Sequence, residues 1–174
     1  MNIIFNDYDG RDSYYEKIRD DYVVWLGTNG DKQTNKMHEV AHINLGTDVD
    51  EARKMVLKWG LKSKLRSDDD TLKLVADLFF TTWNILEDER VESFSPRLFK
   101  KHKTVMGKTK TKKIAKSNPI EALLCARFNR DDLVGKDIKQ YIIASRLASK
   151  DRVYELAEDY IKRYVIDYIR KGYK

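Results

Sequence analysis

The sequence has few of the residues that interrupt or cross-link a chain. Its 174 residues include one cysteine, two prolines and eight glycines. Because Cys125 has no second cysteine to pair with, no intramolecular disulfide can form, and we expect a buried thiol in a reducing compartment. So few prolines and glycines argue against the many tight turns of an all-β sandwich or barrel. No apolar run approaches the roughly 18 residues needed to cross a bilayer, and the N-terminal residues do not resemble a signal peptide. We therefore expect a cytoplasmic protein that does not enter a membrane.

Charged residues are numerous but unevenly placed. They make up 36% of the chain against 41% hydrophobic residues, which suits a single, largely helical domain with long charged side chains on its surface. The formal net charge of +6 comes from one stretch, residues 97–116, which holds nine basic residues and no acidic one. The remainder is mildly acidic, so the protein is not basic throughout.

Apolar periodicity and capping signals predict mostly helices. The predicted strand covers residues 22–26, and the predicted helices cover residues 14–21, 32–45, 50–60, 71–92, 119–129, 136–148 and 151–170. Gly46 is placed to end the second helix, and Asn118 followed by Pro119 is a helix start signal. The helix over 71–92 is apolar on more than one side, so we expect it to be central. These elements predict a mainly α fold with a small strand element before the helix over 32–45.

Two of the three histidines lie four residues apart in the predicted helix over 32–45. His38 and His42 would leave the same face one turn apart, so their neutral imidazoles could bind one Zn²⁺ at about 2.0–2.1 Å. Glu39 would reach a metal-bound water without binding the metal itself, and it could act as general base. An ordinary amphipathic helix with two incidental histidines is the plainer alternative.

A catalytic zinc needs a third protein ligand. The remaining histidine, His102, lies in the basic stretch, where we expect it to be exposed. The candidates are instead the carboxylates of residues 83–92. The helix over 71–92 also carries a polar stripe, which faces either water or a site. Its members are Asp77, Thr81, Asn84, Asp88 and Glu92.

The HEVAH segment at 38–42, followed by WNILEDERVE at 83–92, resembles a family of zincin-like metallopeptidases assigned from their motifs. Members are encoded beside or fused to von Willebrand A domains in bacteria, and phage genomes carry related versions. The matching residues are His38, Glu39, His42, Trp83, Asn84, Glu87, Asp88, Arg90 and Glu92. The match covers about a third of the chain. The sequence departs from the family in lacking a von Willebrand A domain, and about eighty residues after the second motif match nothing in it.

The resemblance implies a zincin-like α+β fold with zinc as the cofactor and an acidic third ligand. In zincins the HExxH helix lies beneath an edge strand, and the predicted strand over 22–26 is the candidate for it. Asp88 matches the aspartate of the second motif, so we favour it as the ligand, with Glu87 as the alternative. Asn84, Arg90 and Glu92 are expected around the ligands, where Arg90 would orient Asp88 or Glu92.

These motifs predict a zinc-dependent metallopeptidase, a hydrolase in which zinc-activated water attacks a peptide bond of a protein or peptide substrate and Glu39 is the base. Residues 1–95 would form the metal-binding core, 96–117 a basic loop or linker, and 118–174 C-terminal helices packed on the same domain. The reaction also needs a hydrogen-bond donor to the developing oxyanion, and spacing selects none of the ten tyrosines. The oligomeric state stays open.

The basic stretch supports a different function. Its cations could neutralise a phosphate backbone, and the candidate side chains are Lys100, Lys101, Lys103, Lys110, Lys112 and Lys113. Against this, the stretch lacks interleaved aromatic residues and matches no duplex-reading motif, and charge runs are commonly solvated segments. The alternative is a non-catalytic accessory protein, nucleic-acid-associated and of viral origin, in which zinc only stabilises the fold.

Overall fold

The computed structural model describes residues 1–62, 69–106, 118–128 and 134–172, with the backbone alone for residues 69 and 102–106. The elements are β1 Ile3–Asp7, β2 Tyr14–Ile18, β3 Asp21–Leu26, α1 Lys32–Asn44, α2 Val49–Lys62, α3 Asp69–Ser93, α4 Pro96–Met106, α5 Pro119–Arg127, α6 Lys136–Ser145, α7 Lys150–Tyr160 and α8 Ile166–Arg170. A π-helical turn, Ile161–Val165, joins the last two. The mainly α fold with a small strand element is confirmed.

The three strands form one sheet in the order β1-β3-β2, with β1 parallel and β2 antiparallel to β3. Successive side chains of a strand alternate between faces, and Val24 and Leu26 are buried on the same face together with Ile43 of α1. Phe5 and Tyr15, the neighbours of Val24 across the sheet, pack against them. We call this group the sheet cluster. Within the described ranges β3 is the central strand, so it is not the edge strand that the resemblance implied.

The largest apolar cluster is built around α3. Phe79 and Leu86 of this helix are completely buried, as are Leu123 of α5, Ile142 of α6 and Tyr160 of α7. We call this group the helical core. Because α3 packs against α2, α4, α5, α6 and α7, its predicted central position is confirmed. Among the residues that the structure describes, no helix is both long enough and apolar enough to cross a membrane.

The helix predicted over residues 14–21 is wrong. β2 occupies most of this segment and reaches β3 through a two-residue turn in which Arg19 has φ 57°. The hydroxyl of Ser13, just before β2, accepts a hydrogen bond from Gly27 N at 3.0 Å and so joins two loops. Tyr14 and Tyr15 suit a strand because aromatic side chains pack well on a pleated surface.

The loop predicted over residues 96–117 is wrong for its first half, and residues 107–117 lie outside the described residues. α4 begins at Pro96, which ends the preceding helix and also suits the first position of the next. Leu98 is 1% exposed, and the ring of Phe99 lies 5.1 Å from the Arg146 guanidinium. α4 therefore packs on the protein through apolar residues, although the basic residues around them had suggested a loop.

Candidate metal centre

Two helices bring the candidate ligands together. His38 Nε2 and His42 Nε2 on α1 are 3.1 Å apart. Asp88 Oδ1 on α3 lies 3.2 Å from His42 Nε2 and 3.7 Å from His38 Nε2. Ligand atoms around a tetrahedral zinc at about 2.0–2.1 Å are separated by roughly 3.3–3.4 Å, which these three distances bracket. In the part of the chain that the structure describes, this is the one group of histidine, cysteine and acidic side chains close enough to share a metal ion.

The end of α1 supplies a partner for His42. Gly46 has φ +69°, which glycine adopts freely, and the predicted end of the helix at this residue is confirmed. The turn brings Thr47 N–H to the His42 carbonyl at 3.0 Å. It also places the Thr47 hydroxyl 3.0 Å from His42 Nδ1. Thr47 was not predicted from the sequence, although the Gly46 turn next to the motif was the signal that could have indicated it.

Glu87 determines which way this chain of hydrogen bonds runs. Arg90 donates from Nε to Glu87 Oε2 at 2.8 Å and from Nη2 to Glu87 Oε1 at 2.7 Å. Thr47 Oγ1 donates to the same carboxylate at 2.6 Å, so its lone pair is left to accept from His42 Nδ1–H. His42 therefore presents the lone pair of Nε2 to Asp88. Arg90 lies beside Glu87, not beside Asp88 or Glu92 as predicted, and Glu87 lies outside the ligand group.

His38 faces a second carboxylate. Its Nδ1 lies 3.1 Å from Oε1 of Glu92, a completely buried residue. Burial lowers the pKa of His38, but the contact with Glu92 and the charge of Asp88 outweigh it and raise that pKa above its ordinary value. A carboxylate behind the imidazole is the usual environment of a metal-bound histidine.

Three atoms that can bind a metal consequently lie close together. The Thr47 hydroxyl lies behind Nδ1 of His42 and the Glu92 carboxylate behind Nδ1 of His38, so the Nε2 atoms of both rings face Asp88 Oδ1. Lone pairs at this separation repel one another unless a proton or a metal cation lies between them. The arrangement could hold a metal cation through two imidazoles and one carboxylate.

Glu39 lies beside this group without belonging to it. Its side chain is buried, with 7% of the residue exposed. Burial raises the pKa of Glu39, and Asp88 raises it further, whereas His38 and His42 oppose the shift. Glu39 is therefore a carboxylate suited to accept a proton next to the ligands.

The predicted polar stripe of α3 divides into two parts. Asp77, Thr81 and Asn84, the last of which was predicted to lie around the ligands, are exposed. Asp88 and Glu92 instead face α1, with 15% and 0% of their side chains exposed. The first part of the stripe therefore faces water, and the second part faces the candidate metal centre.

Arg127 of α5 contacts the same carboxylates and was not predicted from the sequence. Its Nη1 donates to Asp88 Oδ2 at 2.9 Å and its Nη2 to Glu92 Oε1 at 2.8 Å. Burial raises the pKa of Asp88, but Arg127 and the two histidines hold it well below its usual range. The one available signal in the sequence was a cation that directly follows the apolar residues Leu123–Ala126. In the structure this cation is buried.

The basic residues proposed for nucleic acid are described only in part. Lys101 Nζ lies 2.6 Å from Asp31 Oδ2, the residue that caps α1. Lys100 is exposed. The side chain of Lys103 and that of His102 lie outside the described residues, as do Lys110, Lys112 and Lys113. Part of the positive charge of the basic stretch is thus paired with a carboxylate of the protein itself.

Comparisons of the chain with protein-family models, with curated proteins and with solved structures found no match. Its function is therefore inferred from the chemistry of the site itself.

Proposed function

We propose that the protein is a zinc-dependent hydrolase of the metallopeptidase type, with His38, His42 and Asp88 as ligands and Glu39 as general base. The observation that carries the proposal is the convergence of two histidine Nε2 atoms and Asp88 Oδ1 at 3.1–3.7 Å. Glu39, buried beside them and outside the ligand group, supplies the second element that hydrolysis needs.

The donor set supports zinc as the metal. Two imidazoles from an HExxH helix together with one carboxylate form the catalytic zinc site of metallopeptidases, and three protein ligands leave the fourth position open, whereas structural zinc sites are normally closed by four. Bound zinc would polarise the substrate carbonyl and acidify the attacking water. Glu39 would accept the proton of that water and pass it to the leaving amine.

The sheet supports a peptide as the substrate. β2 is the strand that lies next to the ligands, because the ring of Tyr15 stacks on His42 with centroids 6.4 Å apart. Within the described ranges β2 pairs with β3 alone, so its outer edge presents backbone groups that an extended peptide could bind.

Metal content and Glu39→Gln test the proposal together. The reconstituted protein should hold about one equivalent of zinc. Glu39→Gln should retain metal and fold but hydrolyse fluorescently labelled casein at least about 10²-fold more slowly, because the proton acceptor is lost. Glu51→Gln, the same change at an exposed residue of α2, is the matched control and should leave hydrolysis unchanged.

A metal that only stabilises the fold would behave differently. Cobalt-loaded protein should change its visible spectrum on adding acetohydroxamate if one position is open, and should not if four ligands close the site. No spectral change, together with a silent Glu39→Gln, would reject catalysis and favour the accessory-protein alternative. Less than a few tenths of an equivalent of zinc would reject the metal centre itself.

A further inference from the structure

Arg127 lies behind two of the residues that form the metal centre. It is on α5, it is 4% exposed, and it contacts three carboxylates of α3. Nη1 lies 2.9 Å from Asp88 Oδ2, Nη2 lies 2.8 Å from Glu92 Oε1, and Nε lies 3.8 Å from Glu89 Oε2. One planar guanidinium therefore binds carboxylates on successive turns of α3.

The two oxygens of Asp88 have different partners. Arg127 binds Oδ2, whereas Oδ1 faces the Nε2 atoms of His38 and His42. The N–H groups of a guanidinium all point in one plane. The contact with Arg127 therefore fixes the orientation of the Asp88 carboxylate in addition to favouring its negative charge. Asp88 is thereby held so that a single oxygen points to the metal position.

Glu92 receives the other arm of the fork. The Oε1 atom that accepts from Arg127 Nη2 is also the one 3.1 Å from His38 Nδ1. The same guanidinium thus fixes the carboxylate behind His38. One side chain of α5 orients the acidic ligand directly and a histidine ligand through Glu92.

We propose that Arg127 is the positioning residue of the metal centre, which holds Asp88 as a one-oxygen ligand and Glu92 as the partner of His38. This inference rests on the proposed function only in requiring that the site binds zinc. It assigns control of metal affinity to a residue of the C-terminal helices, outside both sequence motifs.

Charge and geometry act in opposite directions here. A fixed positive charge near the site repels a metal cation, whereas correctly oriented carboxylates attract it. Arg127→Lys keeps the charge and removes the planar fork, so it isolates the positioning effect. Loss of an orienting partner typically weakens metal binding about 10–100-fold.

The test compares Arg127→Lys with Arg146→Lys by zinc competition against a chelator. Arg146 is the matched control because it also binds a carboxylate of α3, Glu89 at 2.8 Å, without any contact to a ligand side chain in the structure. We expect zinc binding at least about tenfold weaker for Arg127→Lys and unchanged for Arg146→Lys. The visible spectrum of the cobalt-loaded protein should change for Arg127→Lys alone, since Asp88 is then free to bind through both oxygens.

Each outcome has a distinct meaning. Wild-type affinity in a folded Arg127→Lys variant would overturn the positioning role while leaving the metal centre intact, and an equal loss in both variants would assign the effect to general stability. A wild-type chain that binds no zinc would reject the proposed function and this inference with it.

If Arg127→Lys does not fold, the Nε–H resonance of Arg127 in the wild-type protein decides. Zinc should shift it and leave that of Arg146 in place, and an unmoved Arg127 signal would overturn the proposal.

Discussion

The sheet cluster and the helical core differ greatly in size. Among the described residues the helical core contains seventeen buried apolar residues, whereas the sheet cluster contains three. Burial of apolar surface is the main source of stability, at about 25 cal/mol per Å², and small sheets are marginal without further support. We therefore expect the helical core to be stable by itself and the sheet with α1 to depend on other contacts.

Those other contacts are polar and lie at the candidate metal centre. His38 and His42 belong to α1, on the side of the sheet cluster, whereas Asp88 and Glu92 belong to α3, in the helical core. Arg90 adds a contact to the Leu45 carbonyl at 3.3 Å. The difference suggests a division of roles, in which the large core holds carboxylates in fixed positions and a bound metal would join the weaker part to it.

Truncation in the helical core should have the largest effect. Phe79 is completely buried and contacts Trp59 and Tyr154, with ring centroids 5.1 and 5.5 Å away. Phe79→Ala should lower the free energy of unfolding by about 3–5 kcal/mol, with or without zinc, because the cavity lies outside the metal centre. Urea unfolding with and without chelator measures this, and Phe94→Ala, at a residue 46% exposed, is the control. A loss that zinc abolishes would contradict the independence of the core.

Zinc removal should have an intermediate effect, confined to the smaller region. Zinc at one hundred times its dissociation constant stabilises the state that binds it by about 2.7 kcal/mol. Chelation should therefore speed amide hydrogen exchange in the three strands and α1, and change it little in the centre of α3 and in α7. His42→Ala should exchange like the chelated wild type and respond no further to chelator. Equal acceleration throughout the chain would show that the two regions unfold as one.

What the sequence predicts well are features that depend on neighbours along the chain. The four-residue spacing of His38 and His42, the Gly46 helix end and the central position of α3 all follow from local periodicity and capping. The convergence of Asp88 with the histidines was also expected, but the choice of Asp88 over Glu87 came from a family resemblance. Residue chemistry alone left both carboxylates open.

What the sequence does not predict depends on residues far along the chain. Arg127 binds Asp88 across 39 positions, and such a contact leaves no trace in local periodicity. A helix was predicted where β2 lies, and the segment becomes a strand because β3 is there to pair with it. α4 shows the same effect, since Leu98 is buried by packing on the rest of the protein and not by its charged neighbours.

Removing the Thr47 hydroxyl should have the smallest effect, and it addresses the junction of the two regions directly. Thr47→Val keeps the side-chain shape but deprives His42 Nδ1 of its acceptor and Glu87 of one donor. We expect a loss of about 1–2 kcal/mol in unfolding free energy, and zinc binding weakened about tenfold because the His42 ring is no longer held. Thr47→Ser retains the hydroxyl and should approach wild type in a zinc competition assay and in urea unfolding. If Thr47→Val loses stability but binds zinc as tightly as Thr47→Ser, the hydroxyl joins α1 to α3 without orienting the ligand.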